Sequence, residues 1–199
     1  MFSLNCQKHS AGFTLLELTI SIGIFMMIGG MVMVNFRAGQ YSDELQAGAK
    51  AVENAVREAQ AAAIGGQEVC VNADSSKFAP LGGFGLNIAA DNTALWFGDC
   101  DYGTDSDNDP PRNYVYSPDP NIDVIVQNID LGSNIKINTK TPADGDIMNL
   151  VFSSGSEVAK INGSNPTTVN QVVVTLEHKK TAKRKTVVIN LLSGQVFIE

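Results

Sequence analysis

The sequence has 199 residues, a formal net charge of −7 and three cysteines. This length holds one moderate domain together with an anchor. The acidic balance argues against a protein that coats nucleic acid over its whole surface, because phosphate binding is driven by clustered cations.

The amino-terminal segment places a carboxylate directly before a long apolar run. Gly12-Phe13-Thr14-Leu15-Leu16-Glu17 precedes nineteen residues without a charge, Leu18 to Phe36. As a helix this run covers about 28 Å, close to the ~30 Å core of a bilayer. A secretory signal or a plain single-span anchor explains the apolar run but not Glu17, because a carboxylate at its edge is costly.

This pattern resembles the processing signal of type IV prepilins and of the pseudopilins of type II secretion. The resemblance implies that a prepilin peptidase cuts between Gly12 and Phe13 and N-methylates Phe13. It also implies that Glu17 meets the free amine of a neighbouring subunit during assembly. Loss of the leader, residues 1–12, removes Lys8 and changes the net charge from −7 to −8.

The helical pattern continues beyond the apolar run. From Arg37 to Ile64 the chain is rich in alanine and lacks proline, which favours helix. Gly65-Gly66 is predicted to end it. Residues 13–36 are therefore predicted as a membrane or filament-core helix, and residues 37–66 as its amphipathic half. One apolar stripe recurs every three or four positions: Tyr41, Leu45, Ala49, Val52, Val56, and Ala59 or Ala63.

Residues 67–199 are predicted to form a β-rich head, because short β-rich runs alternate with turns of Gly, Pro, Asn and Asp. An antiparallel sheet on the striped half of the helix would bury both apolar faces. The expected fold is thus α+β, and the resemblance implies a pilin-like lollipop. Strands are expected at Glu68–Asn72, Gly85–Ile88, Ala94–Phe97, Ile122–Asn128, Ile135–Asn138, Met148–Phe152, Gln171–Glu177, Thr186–Leu192 and Gln195–Ile198.

Short motifs in the head narrow the resemblance. In chain order they are Arg57-Glu-Ala-Gln, Leu95-Trp96-Phe97-Gly98-Asp99, Phe152-Ser-Ser-Gly155 and Leu192-Ser-Gly194-Gln-Val196. This order resembles the H-type minor pseudopilins of type II secretion and related minor type IV pilins (GspH/FimT-like).

The resemblance implies a structural subunit that acts in protein secretion. Its partners would be other pilin or pseudopilin subunits, the prepilin peptidase and N-methyltransferase, the inner-membrane assembly platform and membrane lipid. Before assembly it would be a single-pass inner-membrane protein with its head on the periplasmic or extracellular side.

Two cysteines remain after processing. Cys6 would be discarded with the leader, whereas Cys70 and Cys100 stay in the exported part, where a disulfide is chemically allowed. The sequence leaves open whether they pair or form two buried thiols.

An acidic stretch follows Cys100. Asp105, Asp107 and Asp109 match the spacing of the first three oxygen ligands of a Ca²⁺ loop. Pro110-Pro111 and the missing downstream Glu depart from that motif, and a solvated loop is the alternative. No other cofactor is indicated.

The opposite charge gathers near the carboxyl end. Five cations, expected at the tip or arms of a β-hairpin, are Lys179, Lys180, Lys183, Arg184 and Lys185. They could bind phosphates, so a DNA-binding minor pilin of a competence pilus is the alternative function. The other interpretation is a solvated hairpin whose lysines prevent edge-to-edge aggregation.

A generic anchored exported protein is a third functional class, which processing by a prepilin peptidase would exclude.

Catalytic patterns are missing from the sequence. His178 is the single histidine outside the leader, and no phosphate-binding glycine loop, paired-cysteine metal motif or serine elbow is present. We therefore predict that the protein is not an enzyme.

Overall fold

The computed structural model describes residues 13–71, 75–89, 93–100, 115–117, 123–141, 147–153, 160–162 and 170–199, without the side chains of residues 34, 35 and 38. Two compact units are present. Unit 1 extends to Gln40, and unit 2 comprises Tyr41–Glu199.

Helix α1 spans Leu15–Gly65 and contributes to both units. It ends in a Schellman motif: Gly66 takes a φ of 61°, and the N–H of Gln67 donates to the carbonyl of Ala62 at 3.2 Å. Glycine adopts this left-handed conformation without a Cβ penalty. The predicted termination at Gly65-Gly66 is confirmed.

Eleven strands are observed among the described residues of unit 2. They form a two-stranded sheet β1-β2, a five-stranded sheet in the order β5-β4-β3-β7-β8, and a four-stranded sheet in the order β11-β10-β9-β6. Every pairing is antiparallel. The strands are β1 Cys70–Val71, β2 Lys77–Phe78, β3 Gly83–Ala89, β4 Ala94–Asp99, β5 Asp123–Asn128, β6 Ile135–Thr141, β7 Ile147–Phe152, β8 Lys160–Ile161, β9 Gln171–His178, β10 Arg184–Asn190 and β11 Val196–Ile198.

The main core of unit 2 joins the helix to both larger sheets. Buried residues of α1, such as Val52 and Val56, share one cluster with Leu86 of the five-stranded sheet and Val174 of the four-stranded sheet. Trp96 lies in the same cluster. The predicted stripe is confirmed, since all its members are buried except the partly exposed Tyr41.

The predicted α+β class is confirmed, but the arrangement of strands differs from the simplest expectation. Instead of one sheet on the helix, two larger sheets share the core. The reason is non-local pairing: β6 joins β9, although β7 and β8 lie between them in the chain. The two-residue strands β2 and β8 were not predicted, since runs so short carry no periodicity.

Candidate processing and assembly segment

The start of α1 is set by Thr14. Its Oγ1 accepts the backbone N–H of Glu17 at 3.2 Å, and its carbonyl accepts the N–H of Leu18 at 3.1 Å. Thr14 is therefore the N-cap, and Thr14-Leu-Leu-Glu17 has the spacing of a capping box. The helix begins at Leu15 rather than at the expected Phe13, because the cap holds Phe13 outside it.

Glu17 lies in the first turn of the helix and is exposed. Among the described residues, none forms an ion pair or side-chain hydrogen bond with its carboxylate. A negative charge in a first turn interacts favourably with the helix dipole, so the position itself stabilises the helix start. Gly12, the other residue of the predicted cleavage site, lies outside the described residues.

The apolar side chains after Glu17 cover the surface of unit 1. Leu15–Met33 has a mean hydropathy of 2.0, and none of it is buried within the chain. By length and composition this segment can cross a membrane.

A Cβ added at Gly23, Gly29 or Gly30 would meet nothing within 4 Å. These glycines weaken the helix by about 1 kcal/mol each relative to alanine, and no contact among the described residues requires them.

Comparison with known proteins identifies this segment. A model of the prokaryotic N-terminal methylation motif matches residues 7–33. The chain carries a prepilin-like amino terminus. This match supports the pilin and pseudopilin family and, with the apolar helix, a membrane-anchored single-pass protein. No curated protein and no solved structure matches the chain.

The cysteine question left open by the sequence has an answer in the structure. Cys70 and Cys100 form a disulfide with a Cα–Cα distance of 5.7 Å, across a sequence separation of 30 residues. Both residues are buried. The bond ties β1, which follows the helix, to the end of β4.

The five cations near the carboxyl end occupy a turn and the start of a strand. Lys179, Lys180 and Lys183 lie in the turn between β9 and β10, while Arg184 and Lys185 begin β10. Among the described residues, two of the five side chains have hydrogen-bond partners: Lys179 Nζ donates to the carbonyl of Ser133 at 2.7 Å, and Arg184 Nε donates to Glu177 Oε2 at 2.8 Å. The basic turn is therefore built into the fold rather than freely extended.

Glu177 is the acidic partner on the outer face of the four-stranded sheet. Lys136 lies 2.7 Å from its Oε1, and Asn138 donates to its Oε2 at 2.7 Å. Hydrogen bonds from Lys136 and then Arg184 lower the pKa of Glu177 below its ordinary value of 4.5. These contacts hold β6, β9 and β10 in register at this edge.

One polar residue in the structure was not recognised as important from the sequence. His178 is fully buried, although Lys179 and Lys180 follow it directly in the chain. Its Nε2 lies 3.2 Å from Glu44 Oε2 on α1, and its Nδ1 accepts the N–H of Lys180 at 3.3 Å. The sequence signal was weak: a lone histidine at the end of an apolar alternation.

The proposed Ca²⁺ ligands Asp105, Asp107 and Asp109 lie outside the described residues. Within the part of the chain that the structure describes, no group of three or more His, Cys, Asp or Glu side chains is arranged to hold a metal. The sequence-based hypothesis for this loop is left untested.

Proposed function

We propose that the chain is a minor pilin or pseudopilin, a structural subunit that leaves the membrane to enter a filament. The observation that carries this proposal is Glu17: a carboxylate at the start of an exposed apolar helix, within a matched methylation motif. A carboxylate at the edge of an apolar membrane segment is costly when it has no partner. Pairing with an amine from a neighbouring subunit would offset part of that cost.

In this proposal, hydrolysis of the Gly12–Phe13 peptide bond releases the leader as a carboxylate and leaves a free amine on Phe13. Transfer of a methyl group from a sulfonium methyl donor, which leaves as the thioether while the amine loses one proton, then gives a secondary amine that is still basic. Glu17 of one subunit accepts hydrogen bonds from the amine of another subunit. Gly23, Gly29 and Gly30 let neighbouring helices approach closely. Such a role needs no catalysis and no cofactor.

The host we favour is a type II secretion pseudopilus, with a type IV pilus as the related possibility. The order of the head motifs supports the H-type subunits. Two of these motifs meet in the fold: Gln60 of the first donates its Nε2 to the carbonyl of Gly194 in the last at 2.9 Å. The Cys70–Cys100 bond supports a head exported to the periplasm, where disulfides persist.

The decisive experiment replaces Glu17 and Gly12 separately in the native host. Glu17→Ala is expected to insert and be processed normally. Its incorporation into filaments should fall at least about tenfold, which corresponds to a free-energy difference of roughly 1.4 kcal/mol. Gly12→Ala should block processing. Glu53→Ala, at a partly exposed carboxylate of unit 2 paired with Arg57, is the matched control and should assemble normally. Normal assembly of Glu17→Ala would refute the pairing role.

The second candidate is a DNA-binding minor pilin. The observation that favours it is the exposure of Lys180 and Lys183 on the basic turn. A gel-shift assay of the full chain in detergent tests it, with Lys180→Ala/Lys183→Ala as the variant. DNA binding that survives this double substitution would exclude the turn as the contact.

A further inference from the structure

His178 joins three elements of unit 2 through its two ring nitrogens. Nε2 faces Glu44 of α1 at 3.2 Å, while Nδ1 faces the Lys180 nitrogen at 3.3 Å and Thr181 Oγ1 at 3.2 Å, both in the β9–β10 turn. The ring of Tyr41, also on α1, lies with its centroid 4.7 Å away. The β5–β6 loop closes the cluster, because Asn134 Nδ2 donates to the same Glu44 oxygen at 3.0 Å.

These contacts assign the protonation state of the ring. A backbone N–H can only donate, so its approach to Nδ1 requires that Nδ1 carry no proton. The proton of the neutral imidazole then sits on Nε2 and is donated to Glu44. Glu44 suits this role: hydrogen bonds from Asn134 and then His178 lower its pKa, so it stays ionised.

Some charges around the ring favour its protonated, cationic form and others oppose it. Glu44 favours a cationic imidazole, whereas the turn itself carries Lys179, Lys180 and Lys183, which oppose it. Tyr41 and Asn134 are neutral. Whatever the balance of charge, a second proton must enter at Nδ1, where it displaces the N–H of Lys180. Protonation is therefore coupled to the loss of the one backbone hydrogen bond of the turn that ends on the ring, while the bonds of Ala182 N–H to the His178 carbonyl and of His178 N–H to the Lys183 carbonyl do not involve it.

We propose that His178 is a pH-sensitive latch for the basic turn. While neutral, it links the Lys180 N–H and Thr181 Oγ1 of the turn to Glu44 of α1. When Nδ1 takes up a proton, the bond from Lys180 is lost and the turn loosens, so the closed form prevails at higher pH and is lost as the pH falls. The latch would control how freely Lys180 and Lys183 reach a partner, and it does not depend on the assembly role proposed above.

The test uses the full chain in detergent micelles with His9→Gln, which leaves His178 as the single histidine. Nitrogen NMR of the ring and hydrogen exchange of backbone amides, corrected for intrinsic rates, are followed from about pH 8 to about pH 5. We expect the Nε2–H tautomer at the upper end. As the ring becomes cationic, protection of the Lys180 amide from exchange should fall about fivefold or more. This factor corresponds to the free energy that one hydrogen bond contributes.

Internal and variant controls separate the latch from general loosening. The amide of Ala89, the last residue of β3, donates to the carbonyl of Thr93 and should keep its protection over the same range. His178→Gln retains a donor toward Glu44 but does not titrate, so its Lys180 protection should not vary with pH. Glu44→Gln removes the negative charge and should move the release to more acidic pH.

Two results would overturn the proposal. One is a cationic or Nδ1–H ring at about pH 8. The other is Lys180 protection that stays constant while the ring titrates. Both are read on the chain with native His178, so they stand even if the substituted variants fold poorly.

Discussion

The two parts of α1 have the same secondary structure but opposite relations to the rest of the chain. In unit 1 the described side chains are exposed, and a Cβ on Gly30 would meet nothing. In unit 2 the apolar stripe is buried, and a Cβ on Gly48 would lie 2.9 Å from the carbonyl oxygen of Leu131. The first part is therefore shaped for contacts outside the chain, and the second part for contacts within it.

The largest expected contrast is between two phenylalanines. Phe84 is 1% exposed in the main core of unit 2, whereas Phe25 is 76% exposed in unit 1. Phe84→Ala should cost about 3–5 kcal/mol of unfolding free energy and lower the melting temperature of unit 2 by roughly 2–4 °C per kcal/mol. Phe25→Ala should leave that melting temperature unchanged in detergent. Equal losses would remove the distinction between the two parts.

The disulfide should contribute slightly less to the free energy of unfolding than the Phe84 side chain does. A closed loop of this length stabilises the folded state by about 3–4 kcal/mol in the chain-entropy description. The variant Cys70→Ser/Cys100→Ser should therefore unfold at a clearly lower temperature, and reduction of the native chain should reproduce the shift. Because both cysteines belong to unit 2, insertion of the apolar helix should not change. An unchanged melting temperature would contradict this prediction.

The glycines offer a finer test of the same comparison. Gly48→Ala gains about 1 kcal/mol of helix propensity but forces a backbone contact, so we expect a net loss of about 1–2 kcal/mol, since overpacking costs about 1–3 kcal/mol. Gly30→Ala gains the propensity without a clash and should not destabilise the isolated chain. Under the proposed assembly role, its effect should appear in filament incorporation instead. Stabilisation by Gly48→Ala would show that the β5–β6 loop yields readily.

The smallest expected effect concerns pH. Because its pKa is lowered on folding, Glu177 stabilises unit 2 fully above the unfolded value near 4.5 and loses this contribution as the pH falls through the folded value. Glu177→Gln should therefore flatten the acid side of the melting-temperature profile between about pH 6 and pH 3. Glu53→Gln, which alters an exposed pair on α1, is the control. An unchanged acid limb in Glu177→Gln would contradict the prediction.

Local signals explain what the sequence could predict. The helix end at Gly65-Gly66 and the buried stripe through Val52 and Val56 follow from residue type and period within a few turns. Nine of the strands were expected near their observed positions for the same reason. The processing segment was also recognisable, because Gly12, Phe13 and Glu17 are neighbours in the chain.

Long-range relations explain what the sequence could not predict. The division into two larger sheets depends on the register of β6 with β9, which no local pattern specifies. The contact between His178 and Glu44 joins residues 134 positions apart. A single histidine and one of many surface carboxylates carry no signal of that pairing until the fold brings them together.

The cap at Thr14 has a consequence for the energetics of maturation. Since the helix begins only at Leu15, the proposed cut ahead of Phe13 would leave the described helical hydrogen bonds intact and change mainly the charge. It would create a cation beside the positive end of the helix dipole, an unfavourable position that the first-turn acid of the same helix would relieve only in part. A freshly matured subunit would thus carry an electrostatic imbalance at its tip, and an incoming carboxylate from another molecule would be the natural means of correcting it.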